Sequence, residues 1–160
     1  CSYCRFYKAN LVPLVQLTED QFVWINVKDP IEKIAEDYEK TIRDKLILNK
    51  ETGVPSFDLL LLGMGPDGHT ASLFPGHKLL SVTDRLIAYI NDSPKPPPQR
   101  ITMTYPLINN ARHSVFAVCG KGKADIVRKI FSEDEDLPAG RVKALEKVHW
   151  LLDENSASEL

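Results

Sequence analysis

The chain has 160 residues, 43% of them apolar and 26% charged, with a formal net charge of −2. That length suffices for one domain with a hydrophobic core, and residues 1–160 read as a single domain. The charge balance provides no basic field for nucleic acid, and no apolar run approaches the length of a membrane span, so neither partner is expected.

The chain opens with Cys1 and Cys4, a C-x-x-C pair that no second pair or nearby histidine completes into a zinc site. The third cysteine, Cys119, follows an apolar run and reads as a small core residue. An odd count without framework spacing fits a reducing compartment, and the cytosol is the expected location. No charged segment followed by an apolar run marks a secretory leader.

Phe22 to Val27 is aromatic and β-branched and reads as a strand. Asp29-Pro30 then opens a helix to about Leu48, with Ile31, Ile34, Ala35, Tyr38, Ile42 and Leu46 at helical spacing. Phe57 to Leu62 is almost continuously apolar, the pattern of a strand buried on both faces of a parallel sheet. Further strands are expected at Arg85–Ile90, Arg100–Thr104, Ser114–Cys119 and Val148–Leu152, with helices near Tyr105–Ala111 and Lys123–Phe131. Ser93 to Pro98 reads as a stiff connector, and Ser132 to Asp136 as a solvated acidic loop. The alternation predicts an α/β fold: an open, mostly parallel twisted sheet with crossover helices, Rossmann-like.

Ligands of open α/β sheets bind at the carboxyl ends of the strands, which directs attention to Gly63-Met64-Gly65-Pro66-Asp67-Gly68-His69. Gly63 to Gly68 matches G-x-G-x-x-G literally. A dinucleotide site needs a long helix opening at those glycines, and Pro75-Gly76 interrupt too soon for one. Asp67 and His69 are the stronger signal, because a loop histidine can take a proton from water at neutral pH; a histidine that merely bridges the loop is the alternative. Arg100, at a strand start, and Lys123, after Gly120-Lys121-Gly122, together suggest an anionic substrate. Arg112, His77, His113 and His149 read as structural or solvated.

The stretch FDLLLLGMGPDGHTASLFP, Phe57 to Pro75, closely resembles the signature of the glucosamine-6-phosphate isomerase/6-phosphogluconolactonase family. The likeness extends through His77, Leu79 and Leu80, Asp92 to Thr102, the Gly120-x-Gly122-Lys123 turn and His149 to Asp153. The deaminase members carry a glutamate five residues after the histidine; Phe74 stands there in this chain, which favours the lactonase branch.

The resemblance implies hydrolysis of 6-phosphoglucono-δ-lactone in the oxidative pentose phosphate pathway, without metal or organic cofactor. It also implies His69 as general base, Asp67 as the group that orients either the histidine or the sugar hydroxyls, and Arg100 and Lys123 as phosphate-holding positions. To this we add backbone N–H groups near Gly65 and Gly68, read as substrate-binding positions, as donors to the developing oxyanion. The family's early glycine-rich loop and its Asp-Glu-Arg segment have no counterpart, so the chain reads as N-terminally truncated and missing the first strands of the fold. A non-catalytic fragment is therefore an alternative, and a nucleotide-binding module a remote one. Protein partners are not indicated.

Overall fold

The computed structural model describes residue 6, residues 8–132 and residues 135–160. The Cys1–Cys4 pair, and Glu133 and Asp134 of the acidic run, lie outside the described residues.

Two layers of structure position the glycine-rich loop. Strands β1 (Leu59–Leu62), β4 (His113–Val118) and β5 (Lys147–Leu152) form a parallel sheet in the order β1-β4-β5. Strands β2 (Ile87–Ile90) and β3 (Arg100–Met103) pair with each other as an antiparallel hairpin. The proline-rich segment is the turn of that hairpin. Leu62 of β1 is in register with Phe116 of β4, so the two strands end side by side. The loops that follow them must therefore be neighbours.

Helix α1 (Ile31–Lys45) starts at Pro30, whose fixed φ suits a helix entry. Its buried face, with Ala35 and Ile42, packs against Leu86, Ile87 and Leu107. Burying each such aliphatic side chain contributes roughly 1.5–3 kcal/mol. Glu39 of α1 also accepts the backbone N–H groups of Leu86 and Ile87 at 2.8 and 3.0 Å, which ties the helix to the start of β2. The helix ends at Lys45 rather than near Leu48, because Leu46 turns extended and Leu48 bridges to Pro55.

The main core lies on one face of the parallel sheet. Leu60, Leu62, Phe116 and Val118 point into it, joined by Phe74, Ile108 and Val127. Phe116 stacks on Trp150 with ring centroids 4.1 Å apart. Helix α3 (Ala124–Phe131) contributes Ile126 and Val127 to this core, and the short helix α2 (Tyr105–Ile108) contributes Ile108.

Three sequence expectations are corrected here. Phe22 to Val27 forms no strand: its backbone has no ladder partner, and the Phe22 and Trp24 rings stack on each other at 5.0 Å. β1 is buried on one face only, since Leu59 and Leu61 are exposed while Leu60 and Leu62 are buried. No helix among the described residues packs on the open face. Cys119 is exposed, not core: strand alternation puts Val118 inside and sends the next side chain outward. The strand and helix placements from Phe57 onward otherwise agree with the sequence reading to within a few residues at each end.

Candidate functional site

The loop after β1 folds back on itself. Gly65 donates its N–H to the His69 carbonyl at 2.8 Å, Gly68 donates to the Gly65 carbonyl at 3.1 Å, and the Thr70 hydroxyl donates to the Gly63 carbonyl at 2.9 Å. No helix opens at these glycines; Thr70 and Leu73 form an isolated bridge instead. The dinucleotide alternative therefore lacks the helix N-terminus it requires. The N–H groups of Gly65 and Gly68 themselves close the loop.

Gly65 serves by its lack of a side chain. A Cβ there would overlap the His69 imidazole and crowd the Asp67 carboxylate. Gly68 has a φ of +76° and sits against Leu137, so it answers both a conformational and a steric demand. Its carbonyl accepts the Ala139 N–H at 2.9 Å, which anchors the loop to the segment after α3. Ala71 lies in the left-handed region at φ +50°, a local strain of about 1–2 kcal/mol next to the histidine.

His69 Nδ1 meets Asp67 Oδ1 at 2.5 Å. This contact fixes the ring and leaves Nε2 as its other nitrogen. The Phe74 ring, 2% exposed, supports the imidazole with centroids 4.6 Å apart. Burial works to raise the Asp67 carboxyl, but hydrogen bonds from His69 and Lys95 outweigh it and hold the group down at about 2. A depressed carboxyl stabilises the fold above its ordinary value of 3.8 and loses that contribution as pH falls through about 2. Urea midpoints of Asp67→Asn are therefore expected below those of the parent at neutral pH, with the gap closing as the pH falls through that window. A gap that does not change with pH would remove Asp67 from the ion pair.

Lys123 arrives from the turn between β4 and α3, where Gly120 takes a φ of +91°. Its ammonium donates to the Met64 carbonyl, so the neighbouring strand ends do bring the two loops together. Burial lowers the Lys123 ammonium, and repulsion from Lys95 lowers it further, against the attraction of Asp67. A bound anion would relieve both penalties.

Arg100 reaches a different set of partners. Its guanidinium donates to the carbonyls of Pro97, Lys95 and Pro96 at 3.0, 2.9 and 2.9 Å. It also lies 5.6 Å from the Phe74 ring centroid. Arg100 thus clamps the proline turn beside the site. That turn delivers a residue the sequence reading passed over: Lys95, whose Nζ lies 2.9 Å from Asp67 Oδ1 and 3.4 Å from His69 Nδ1. Its signal was available, as the one charged side chain in an otherwise proline-filled turn.

The other histidines have local duties. His77 accepts the Leu79 N–H at 3.2 Å and contacts Asp92, and His113 pairs with Glu146 at 3.1 Å. Arg112 pairs with Glu146 and Asp58, and the His149 ring lies 6.0 Å from that of His113. Among the described residues no group of three His, Cys, Asp or Glu side chains converges as a metal site. No helix among them is long and apolar enough to cross a membrane. A cavity of about 520 Å³ lies between α1 and β2, away from the loop; of its charged lining, Arg43 pairs with Glu39 and Arg85 with Asp84.

The family model described as glucosamine-6-phosphate isomerases/6-phosphogluconolactonase matches residues 2–150. The human 6-phosphogluconolactonase is 44% identical over 154 residues, covering 94% of this chain and 58% of its own length. Among solved structures, the devB protein superposes with a TM-score of 0.84 at 28% identity, over 96% of this chain and 64% of that one. The 6-phosphogluconolactonase of Thermotoga maritima gives a TM-score of 0.73 at 32% identity, over 86% and 58%. The chain spans little more than half the length of the human relative.

Proposed function

The chain belongs to the glucosamine-6-phosphate isomerase/6-phosphogluconolactonase family, and from that premise we propose that its protein hydrolyses 6-phospho-D-glucono-1,5-lactone to 6-phosphogluconate, as a cytosolic step of the pentose phosphate pathway. The observation that carries this reading is the His69–Asp67 contact of 2.5 Å on a loop beside Lys123, at the carboxyl ends of β1 and β4. With Nδ1 engaged by Asp67, Nε2 of His69 takes a proton from water as the oxygen adds to the lactone carbonyl. The tetrahedral intermediate collapses by breaking the bond to the ring oxygen, which receives that proton back from the imidazolium. Positioned general-base catalysis of this kind supplies about 10²–10⁴-fold.

Lys123 is the phosphate-holding side chain in this reading. Arg100 supports the site through the proline turn, whose carbonyls hold its guanidinium. Gly65 and Gly68 let the loop close tightly around His69. Phe74, buried against the imidazole, offers no carboxyl for the proton transfers of a deaminase, which is why the lactonase branch is preferred.

The test compares the phosphorylated lactone with its unphosphorylated counterpart, each freshly generated and corrected for spontaneous opening. The protein is expected to accelerate the first, and Lys123→Ala to raise KM for it by about 10-fold or more, as expected for loss of a charged hydrogen bond of roughly 1.5–3 kcal/mol. KM for the unphosphorylated lactone is expected to change little. No acceleration by folded protein would count against the reaction, and equal effects on both substrates would remove Lys123 from the phosphate site.

A further inference from the structure

Lys95 is a cation within reach of a base, in a part of the chain that otherwise reads as a connector. Asp67 Oδ1 receives two groups at once: His69 Nδ1 at 2.5 Å and Lys95 Nζ at 2.9 Å. Lys95 Nζ also lies 3.4 Å from His69 Nδ1. An ammonium has only donors, so in this triangle it can satisfy the carboxylate but cannot accept the Nδ1 proton. The carboxylate is then the only acceptor for that proton.

The lysine is held in place by its backbone. Its carbonyl accepts the Ser93 hydroxyl at 2.8 Å and the Arg100 guanidinium at 2.9 Å, and its N–H meets the Ser93 hydroxyl at 3.3 Å. Ser93 in turn donates its N–H to the Pro98 carbonyl at 3.1 Å. The proline turn is therefore a rigid arm, and Arg100 fixes the end that carries the charge.

We propose that Lys95 is a positioning residue that acts through the Asp67–His69 pair: it holds the carboxylate in place as the acceptor of the Nδ1 proton, so that Nε2 of His69 is the free nitrogen that acts as base. The proposal rests on the lactonase reading for its kinetic consequences but not for its structural ones. The groups around the His69 imidazole are Asp67 from its own loop, Lys95 from the hairpin turn and the uncharged Phe74 ring, with Lys123 from the turn before α3 acting on Asp67 and Lys95. A carboxylate held by an ammonium on one side keeps its oxygen aimed at Nδ1 on the other.

The experiment uses Lys95→Met and Lys95→Arg. Nitrogen-15 NMR of the imidazoles, with His69 identified by its loss in His69→Gln, reports protonation without any substrate. The share of His69 that carries its proton on Nδ1 and leaves Nε2 bare is expected to fall in Lys95→Met and to return toward the parent in Lys95→Arg. In turnover, kcat of Lys95→Met is expected to fall and to recover in Lys95→Arg, while KM for the phosphorylated lactone stays near the parent value.

An unchanged His69 tautomer in Lys95→Met overturns the proposal. So does a KM effect confined to the phosphorylated substrate, which would make Lys95 a phosphate ligand. Absence of turnover in the parent protein would defeat the lactonase reading alone, since the NMR shift still decides the role of Lys95.

Discussion

His69→Ala is expected to lower kcat/KM for the phosphorylated lactone by about 10²–10⁴-fold while leaving the fold intact. The main chain at this position does the structural work: the His69 carbonyl accepts the Gly65 N–H, and an alanine retains it. The imidazole, by contrast, is tied to Asp67 and rests on Phe74 with its side chain 17% exposed, so it is held but still open to water. Its removal takes away the proton acceptor and leaves Asp67 paired with Lys95. The measurement is initial rate against pH, with the spontaneous opening subtracted, beside a thermal melt of the same preparation. Unchanged turnover in a folded variant would remove His69 from the base role. A collapsed melt would instead give the residue a structural task that its contacts do not suggest.

Gly65→Ala is expected to abolish turnover nearly as completely, although it removes no chemical group. The added Cβ would occupy the space of the His69 imidazole and approach Asp67 Oδ1. Three hydrogen bonds close the loop around this point, so the backbone cannot yield without breaking them. Either the imidazole leaves Asp67 or the loop opens, and both destroy the geometry of the base. An overpacking cost of roughly 1–3 kcal/mol in stability is expected alongside. Gly63→Ala is the control, because nothing lies within 4 Å of a Cβ there. It should keep most of the activity. The double variant Gly65→Ala/His69→Ala should be no worse than His69→Ala alone, since both changes remove the same interaction. Additive losses would mean that Gly65 acts on something other than the histidine.

The local signals that proved informative were those with a strong physical preference behind them. Helical spacing of Ile34, Ala35 and Ile42 located α1, because only one face of that helix is apolar. Continuous leucines before a glycine loop located β1 and the site after it. Phe22 to Val27 misled for a related reason. Aromatic and β-branched residues favour extended backbone, but a strand exists only where another strand supplies its hydrogen bonds. Leu59 and Leu61 carried a burial signal that no described helix answers. The glycines were recognised as necessary for substrate binding, and the structure adds a further use. Their N–H groups fold the loop, and the absent side chain of Gly65 is what the site requires.

By itself the sequence determined the class of fold, the position of the loop and the identities of Asp67, His69 and Lys123 as candidates. These follow from short-range rules: side-chain period, turn chemistry and the ends of strands. The tertiary structure alone decided which charges meet. Lys123 reaches Met64 because β1 and β4 run parallel in register, and Lys95 reaches Asp67 because a hairpin turn crosses to the same edge. Arg100, equally plausible from its position, is directed into that turn by the carbonyls around it. A charge on a surface segment has no preferred partner until packing fixes its neighbours within a few ångströms, and electrostatic energy depends on that distance and not on separation along the chain.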